Sequence, residues 1–189
     1  MKRGLALLTL AGVALAAPAT AQPSNRMAEC SAFLDELPAT WQGKGFAVDG
    51  GTLVGLGLKP QIRLWGIQAP ELTNRQTGEE TVPGMRARAA LEDILAAADR
   101  GLTCRFAGWD RSCRAVAQCT VVAEMPAGSR PQPHDVALRL LEDGMVYGAG
   151  LGAAMAGDAT ASERYAHHES LARKAGKGLW PLWLGAKTP

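Results

Sequence analysis

Histidine is scarce in this chain, with three in 189 residues, and no grouping of serine, histidine and an acid reads as a nucleophilic triad. His167 and His168 are neighbours on a predicted helix, so their side chains diverge by about 100° and cannot share one ion as residues four apart can. They read as part of a solvated helix face. The four cysteines include no Cys-x-x-Cys pair, and their spacing suits no standard zinc site. Internal repeats and heptads are absent, which excludes solenoids and coiled coils. A content of 47% hydrophobic and 20% charged residues excludes collagen-like and disordered chains and suits one globular domain with a full core. Gly148-x-Gly150-x-Gly152-Ala153, with Glu169 beyond it, has the outline of a dinucleotide loop. It follows a helix, however, and too little chain remains after it for a βαβ unit.

Lys2 and Arg3 precede an apolar run from Leu5 to Ala17, followed by Pro18 and Ala19-Thr20-Ala21. A charged start, an apolar middle and an A-x-A site predict a secretory signal over residues 1–21, cut after Ala21. The run is shorter than the roughly 20 apolar residues that span a bilayer, and no later run is long enough. No cysteine follows the cut to carry a lipid. The expectation is a soluble periplasmic or secreted protein with no transmembrane anchor. Export also changes the charge. Lys and Arg number 20 against 18 Asp and Glu, but the signal carries two cations and no anion, so the mature chain is balanced. In an oxidising compartment Cys30, Cys104, Cys113 and Cys119 are expected in disulfides, with three pairings open.

After a short predicted helix over residues 28–37, glycine-punctuated segments at 41–48, 52–58 and 60–68 read as three strands of an antiparallel meander. They are joined by turns at Asp49-Gly50-Gly51 and around Leu58-Lys59-Pro60. Residues 73–84 read as an exposed loop, and Pro83 suits a first helical turn. Ala87, Leu91, Ile94, Leu95 and Ala98 then recur at helical spacing up to Gly101. Strands at 102–107 and 114–122 flank a turn over 108–113. A hairpin centred between Arg111 and Ser112 sets Cys104 opposite Cys119, at disulfide distance. A proline- and glycine-rich loop over 126–133 leads to a helix over 135–143, a flexible run over 148–157 and a third helix over 160–175. This order predicts an α+β domain, a small five-stranded barrel with helices packed on it.

Arg63 lies in the third predicted strand, Glu71 follows Pro70 just past its end, and Arg114 opens the fifth strand. Strand ends of a small barrel converge, so a carboxylate and two guanidiniums can face one point. That is a general base beside two phosphate clamps, the equipment for phosphodiester hydrolysis.

Asp49-Gly50-Gly51-Thr52, then Ile62-Arg63-Leu64-Trp65-Gly66-Ile67-Gln68-Ala69-Pro70-Glu71, Asp110-Arg111-Ser112-Cys113-Arg114 and finally Gly178-Leu179-Trp180-Pro181 resemble, in order and interval, the staphylococcal-nuclease-like or thermonuclease family over residues 46–181. The resemblance implies an OB-type barrel with three helices, occupying residues 43–182 between an N-terminal extension (22–42) and a C-terminal tail (183–189). It implies a calcium-assisted attack of water on DNA or RNA, with Glu71 as general base and Arg63 and Arg114 as phosphate ligands. A local patch of Arg63, Arg111 and Arg114 can hold one phosphate, although the balanced mature charge gives little long-range capture of nucleic acid.

The family pattern is broken in four places. Gly51 and Gln68 stand where the family has its two calcium-binding aspartates, leaving Gln68, the Ala69 carbonyl and Asp49 as substitute oxygens. Calcium affinity follows the number of charged ligands, so such a site binds it far more weakly. The family's base-stacking aromatics give way to Gly148, Gly150 and Gly152, with Tyr147 as the remaining candidate. Cys113 replaces a turn glycine, where it is available to pair with Cys30. The expectation is therefore an exported phosphodiester hydrolase with a degenerate calcium site. The alternative is a non-catalytic nuclease-like module that binds nucleic acid or protein in the cell envelope, or a structural envelope protein that keeps only the fold.

Overall fold

A computed structural model describes Cys30 and residues 37–122, 132–149, 155 and 158–185. The predicted signal and most of the predicted 28–37 helix lie outside the described residues. Cys30 itself is helical and Leu37 is not.

The chain runs through β1 (Thr40–Asp49), β2 (Thr52–Gly55), β3 (Ile62–Leu64), β4 (Ile67–Gln68), α1 (Val82–Ala96), β5 (Gly101–Trp109), β6 (Ala115–Val122), β7 (Pro133–Asp135), α2 (Val136–Glu142), β8 (Tyr147–Gly148), α3 (Ala161–Lys174) and α4 (Trp180–Gly185). Strands pair in the order β3-β2-β1-β5-β6, and β3 closes onto β6 in parallel through Ile62↔Ala115, Arg63↔Val116 and Leu64↔Ala117. The result is a closed five-stranded mixed barrel of the OB type, with β7 added beyond β6. Closure removes the free edges that a five-stranded sheet would otherwise expose.

Three expectations are corrected. The single strand over 60–68 is two strands, because Gly66 takes φ 74° and turns the chain. Ile67–Gln68 leave the barrel and pair with β8 instead, Gln68 opposite Tyr147. The second strand ends at Gly55, where Leu58 N–H closes a turn on the Gly55 carbonyl and Gly57 sits at φ 80°. Gly148, placed in a flexible run, belongs to β8, and a fourth short helix follows α3. Most of the 148–157 run lies outside the described residues.

The helices follow their end signals. Thr81 caps α1 by accepting from Gly84 N–H at 3.1 Å, with Pro83 in the first turn, and Ala87, Leu91 and Leu95 bury the inner face. Glu92 on α1 accepts from Ala47 N–H at 3.0 Å, tying the helix to β1. Asp135 caps α2 through Leu138 N–H at 3.1 Å. It also accepts from the fully buried Tyr165 hydroxyl of α3 at 2.7 Å and from Gln118 Nε2 of β6 at 2.7 Å. Burial, then the Asp135 charge, raises the Tyr165 pKa far above its ordinary value, so the phenol stays a donor. Gln118 also reaches Asp158 at 3.1 Å. The Arg164 fork holds that carboxyl far below the usual range. One polar network thus joins the barrel to two helices.

Cys104 faces Cys119 across the β5–β6 hairpin and is bonded to it, with Cα atoms 4.1 Å apart; Cys30 is bonded to Cys113 across 83 residues. Replacing Cys104 and Cys119 together by alanine is expected to lower the unfolding free energy by about 3 kcal/mol, the chain-entropy value for a loop of this length. Urea denaturation measures it, and a loss below about 1 kcal/mol would show that the hairpin holds its register without the bridge.

Candidate functional site

Where β3, the β1–β2 turn and the turn before β6 meet, a cleft of about 420 Å³ opens, lined by Asp49, Arg63, Gln68, Glu71, Arg75 and Arg114 among others. The alternation of β3 builds one wall. Ile62 and Leu64 point into the core, which sends Arg63 outward into the cleft. Its guanidinium donates to the Ile67 carbonyl at 2.9 Å and to Gln68 Oε1 at 2.7 Å, both neutral acceptors. Burial, then the nearby Arg114 charge, pushes the Arg63 pKa below its ordinary value. Gly51 is pressed against this group, since a Cβ there would stand 3.1 Å from Arg63 Nη1.

The second guanidinium is held differently. In the turn before β6, Asp110 Oδ1 accepts from Ser112 N–H at 2.8 Å and Arg114 N–H at 3.0 Å, while Oδ2 takes Arg114 Nε at 2.7 Å. Burial alone would raise the Asp110 pKa, but these donors and the guanidinium outweigh it and the net shift is downward. Arg114 Nη1 also reaches Thr52 Oγ1 at 3.2 Å. Cys113 occupies φ 55°, a left-handed position that glycine adopts more readily than other residues, and its bridge to Cys30 anchors the same turn.

Glu71 lines the cleft from its outer edge. Its side chain is 60% exposed and paired with Arg75 at 2.6 Å, a cation the sequence reading did not single out although it lies four residues on. Arg111 is exposed and absent from the cleft lining. Asp49 lines the cleft but spends one oxygen on Gly51 N–H at 2.7 Å. His167 and His168 stack edge to face on α3, and His168 pairs with Glu142 rather than with any cleft residue. Tyr147, opposite Gln68, meets Trp183 of α4 with ring centroids 5.7 Å apart. Nothing in the spacing of the sequence marked Trp183.

The residues present do not fit calcium. Gln68 Oε1, the substitute ligand, is taken by the Arg63 guanidinium, and its Nε2 donates to the Ala69 carbonyl at 3.2 Å. Both neutral oxygens are thus engaged by donors, beside a fixed cation. Among the described residues no group of three or more His, Cys, Asp or Glu is placed to hold a metal.

The described residues contain no helix long and apolar enough to cross a membrane. No curated protein matches the chain. The model of the staphylococcal nuclease homologue family matches residues 61–181, more than half of the chain and both guanidinium-bearing segments, and the protein belongs to that family.

Proposed function

We propose that this protein is an exported member of the family whose cleft binds a phosphate of single-stranded nucleic acid without calcium. One observation carries the reading: Arg63 and Arg114 open into one cleft, and among the described residues the hydrogen-bond partners of Arg63 are neutral, with the Asp49 and Asp110 carboxylates acting on it only through space. A partly buried cation beside a like charge is costly unless an anion joins it, and a phosphate offers oxygens to both guanidinium forks. The two residues that remove negative charge from this place, Gly51 and Gln68, favour anion binding as much as they disfavour a cation. Export is supported by the two disulfides and the N-terminal signal pattern.

A second reading, phosphodiester hydrolysis with Glu71 as the base, is favoured by the place of Glu71 on the wall of the same cleft. In it the Glu71 carboxylate must leave Arg75 to take a proton from water while the two arginines hold the phosphate.

Anisotropy of a labelled 5′-phosphorylated single-stranded DNA with residues 22–189 tests the first reading. Affinity is expected to be equal in calcium and in EDTA. One neutralised phosphate predicts a salt slope of about −0.7 in log–log form. Calcium is expected to leave the melting temperature unmoved, because a ligand of the folded state must raise it. Affinity that depends on calcium, or a calcium-raised melting temperature, would overturn the reading. Cleavage of the same strand that is lost in Glu71→Gln would establish the second.

A further inference from the structure

We infer that the Cys113 sulfur is a thiol-exchange site and that opening its bridge to Cys30 weakens the phosphate cleft. The inference rests on the phosphate reading above and adds to it a redox control of the same site. The two bridges differ in access. Cys104 and Cys119 are fully buried in the barrel, whereas Cys113 is exposed on the turn before β6 and only its partner Cys30 is buried. Exposed disulfides are the labile ones, and exchange depends on which sulfur an attacking thiolate can reach. The reagent is a dithiol reductant. Its thiolate attacks Cys113 Sγ, the S–S bond breaks, and Cys30 leaves as a thiolate that takes up a proton. The second sulfur of the dithiol then displaces Cys113 from the mixed disulfide. The bridge thereby gains two electrons and two protons, and the dithiol closes to a disulfide.

The turn carries the effect to the cleft. Cys113 stands between Ser112 and Arg114, and both neighbours line the phosphate site. Its left-handed φ of 55° is costly for a residue with a Cβ. The bridge opposes relaxation by tying Cys113 to a point 83 residues away in the chain. Without that tie the turn is held chiefly by Asp110. The bonds from Arg114 N–H to Asp110 Oδ1 at 3.0 Å and from Asp110 N–H to the Arg114 carbonyl at 2.9 Å both close across Cys113. Rotation of Cys113 out of the left-handed region breaks them. Arg114 Nε then loses its fixed place beside Asp110 Oδ2, and the guanidinium loses its aim into the cleft. Apparent phosphate affinity falls with the fraction of molecules that keep the competent turn.

Graded dithiothreitol treatment of residues 22–189, followed by alkylation and peptide mapping, reads the exchange. Anisotropy of the labelled strand, with inorganic phosphate as competitor, reads the cleft. Cys30 and Cys113 are expected to be alkylated while Cys104 and Cys119 stay bonded. Affinity for both ligands is expected to fall about fivefold, which corresponds to a competent turn in about one molecule in five, and to return on reoxidation. Cys30→Ser/Cys113→Ser is expected to bind like the reduced protein. Cys30→Ser/Cys113→Gly is expected to bind like the oxidised one and to ignore dithiothreitol, because glycine takes a left-handed φ readily. A glycine variant that binds no better than the serine variant would overturn the turn as the link. Opening of both bridges together, or of Cys104–Cys119 first, would overturn the exchange site. Selective opening with unchanged affinity would overturn the control and leave the phosphate reading intact. Failure of the oxidised protein to bind either ligand would remove the phosphate reading and the control with it, while the alkylation map still decides the exchange site.

Discussion

Arg63→Met is expected to weaken binding of single-stranded DNA and of inorganic phosphate by about 10- to 100-fold, the range for a charge-assisted hydrogen bond lost from a binding site. The two arginines are not equivalent. Arg114 is already offset by Asp110, which accepts from its Nε at 2.7 Å, whereas among the described residues Arg63 bonds the Ile67 carbonyl and the Gln68 amide oxygen and feels the Asp49 and Asp110 carboxylates only through space. The attraction for an incoming anion therefore comes chiefly from Arg63. Arg63→Lys is expected to rescue little, because an ammonium cannot satisfy the Ile67 carbonyl, Gln68 and a phosphate oxygen from one planar fork. Arg111→Met, which changes an exposed charge outside the cleft lining, is expected to stay within twofold of wild type. Titration calorimetry with phosphate, alongside the phosphate-induced rise in melting temperature, gives the comparison. Equal affinities for wild type and Arg63→Met would place the anion elsewhere.

The barrel was legible because its strands are short, alternate in burial and are separated by glycine turns. The hairpin register was legible from the symmetry of two cysteines about a turn, up to the irregularity between Phe106 and Gly108, beyond which the pairing slips by one residue. The break at Gly66 was harder to see. Ile62 and Leu64 are compatible with one strand, and the contrary signs were Trp65 and Ile67, apolar at positions that alternation turns outward. The break matters because it swings Gln68 next to Tyr147. Arg63, Glu71 and Arg114 were legible as a set from their order at strand ends. What each of them touches was not. Gln68 could have offered its oxygen to a cation, and its turn toward Arg63 is decided by tertiary packing. The partners Arg75 and Trp183 come from a loop and a terminal helix that carry no periodic signal.

Asp135→Ala is expected to have the largest effect on stability, about 3–5 kcal/mol. Three losses combine at this carboxylate. The α2 N-cap is worth about 1 kcal/mol, stranding the buried Tyr165 hydroxyl costs about 1–3 kcal/mol, and Gln118 loses one hydrogen bond, worth about 1 kcal/mol, while its amide keeps Asp158. These groups share a network, so the sum is an upper range rather than a total. Asp135→Asn separates the components. An asparagine caps α2 as well as aspartate does and can accept from Tyr165, but its NH₂ then meets Gln118 Nε2, donor against donor. Gln118 cannot turn over to relieve this, since its Oε1 already accepts from Arg105 Nη2 at 2.6 Å. The asparagine variant is therefore expected to lose about 1–3 kcal/mol. Tyr165→Phe removes a donor without stranding a buried partner, because Asp135 keeps Gln118 and the Leu138 N–H, and should cost about 1 kcal/mol. In the double variant Asp135→Ala/Tyr165→Phe the stranded hydroxyl is gone, so the combined loss should fall short of the sum by 1 kcal/mol or more. Urea unfolding of the four proteins measures the cycle, and strict additivity would mean that the Asp135–Tyr165 bond adds nothing to stability.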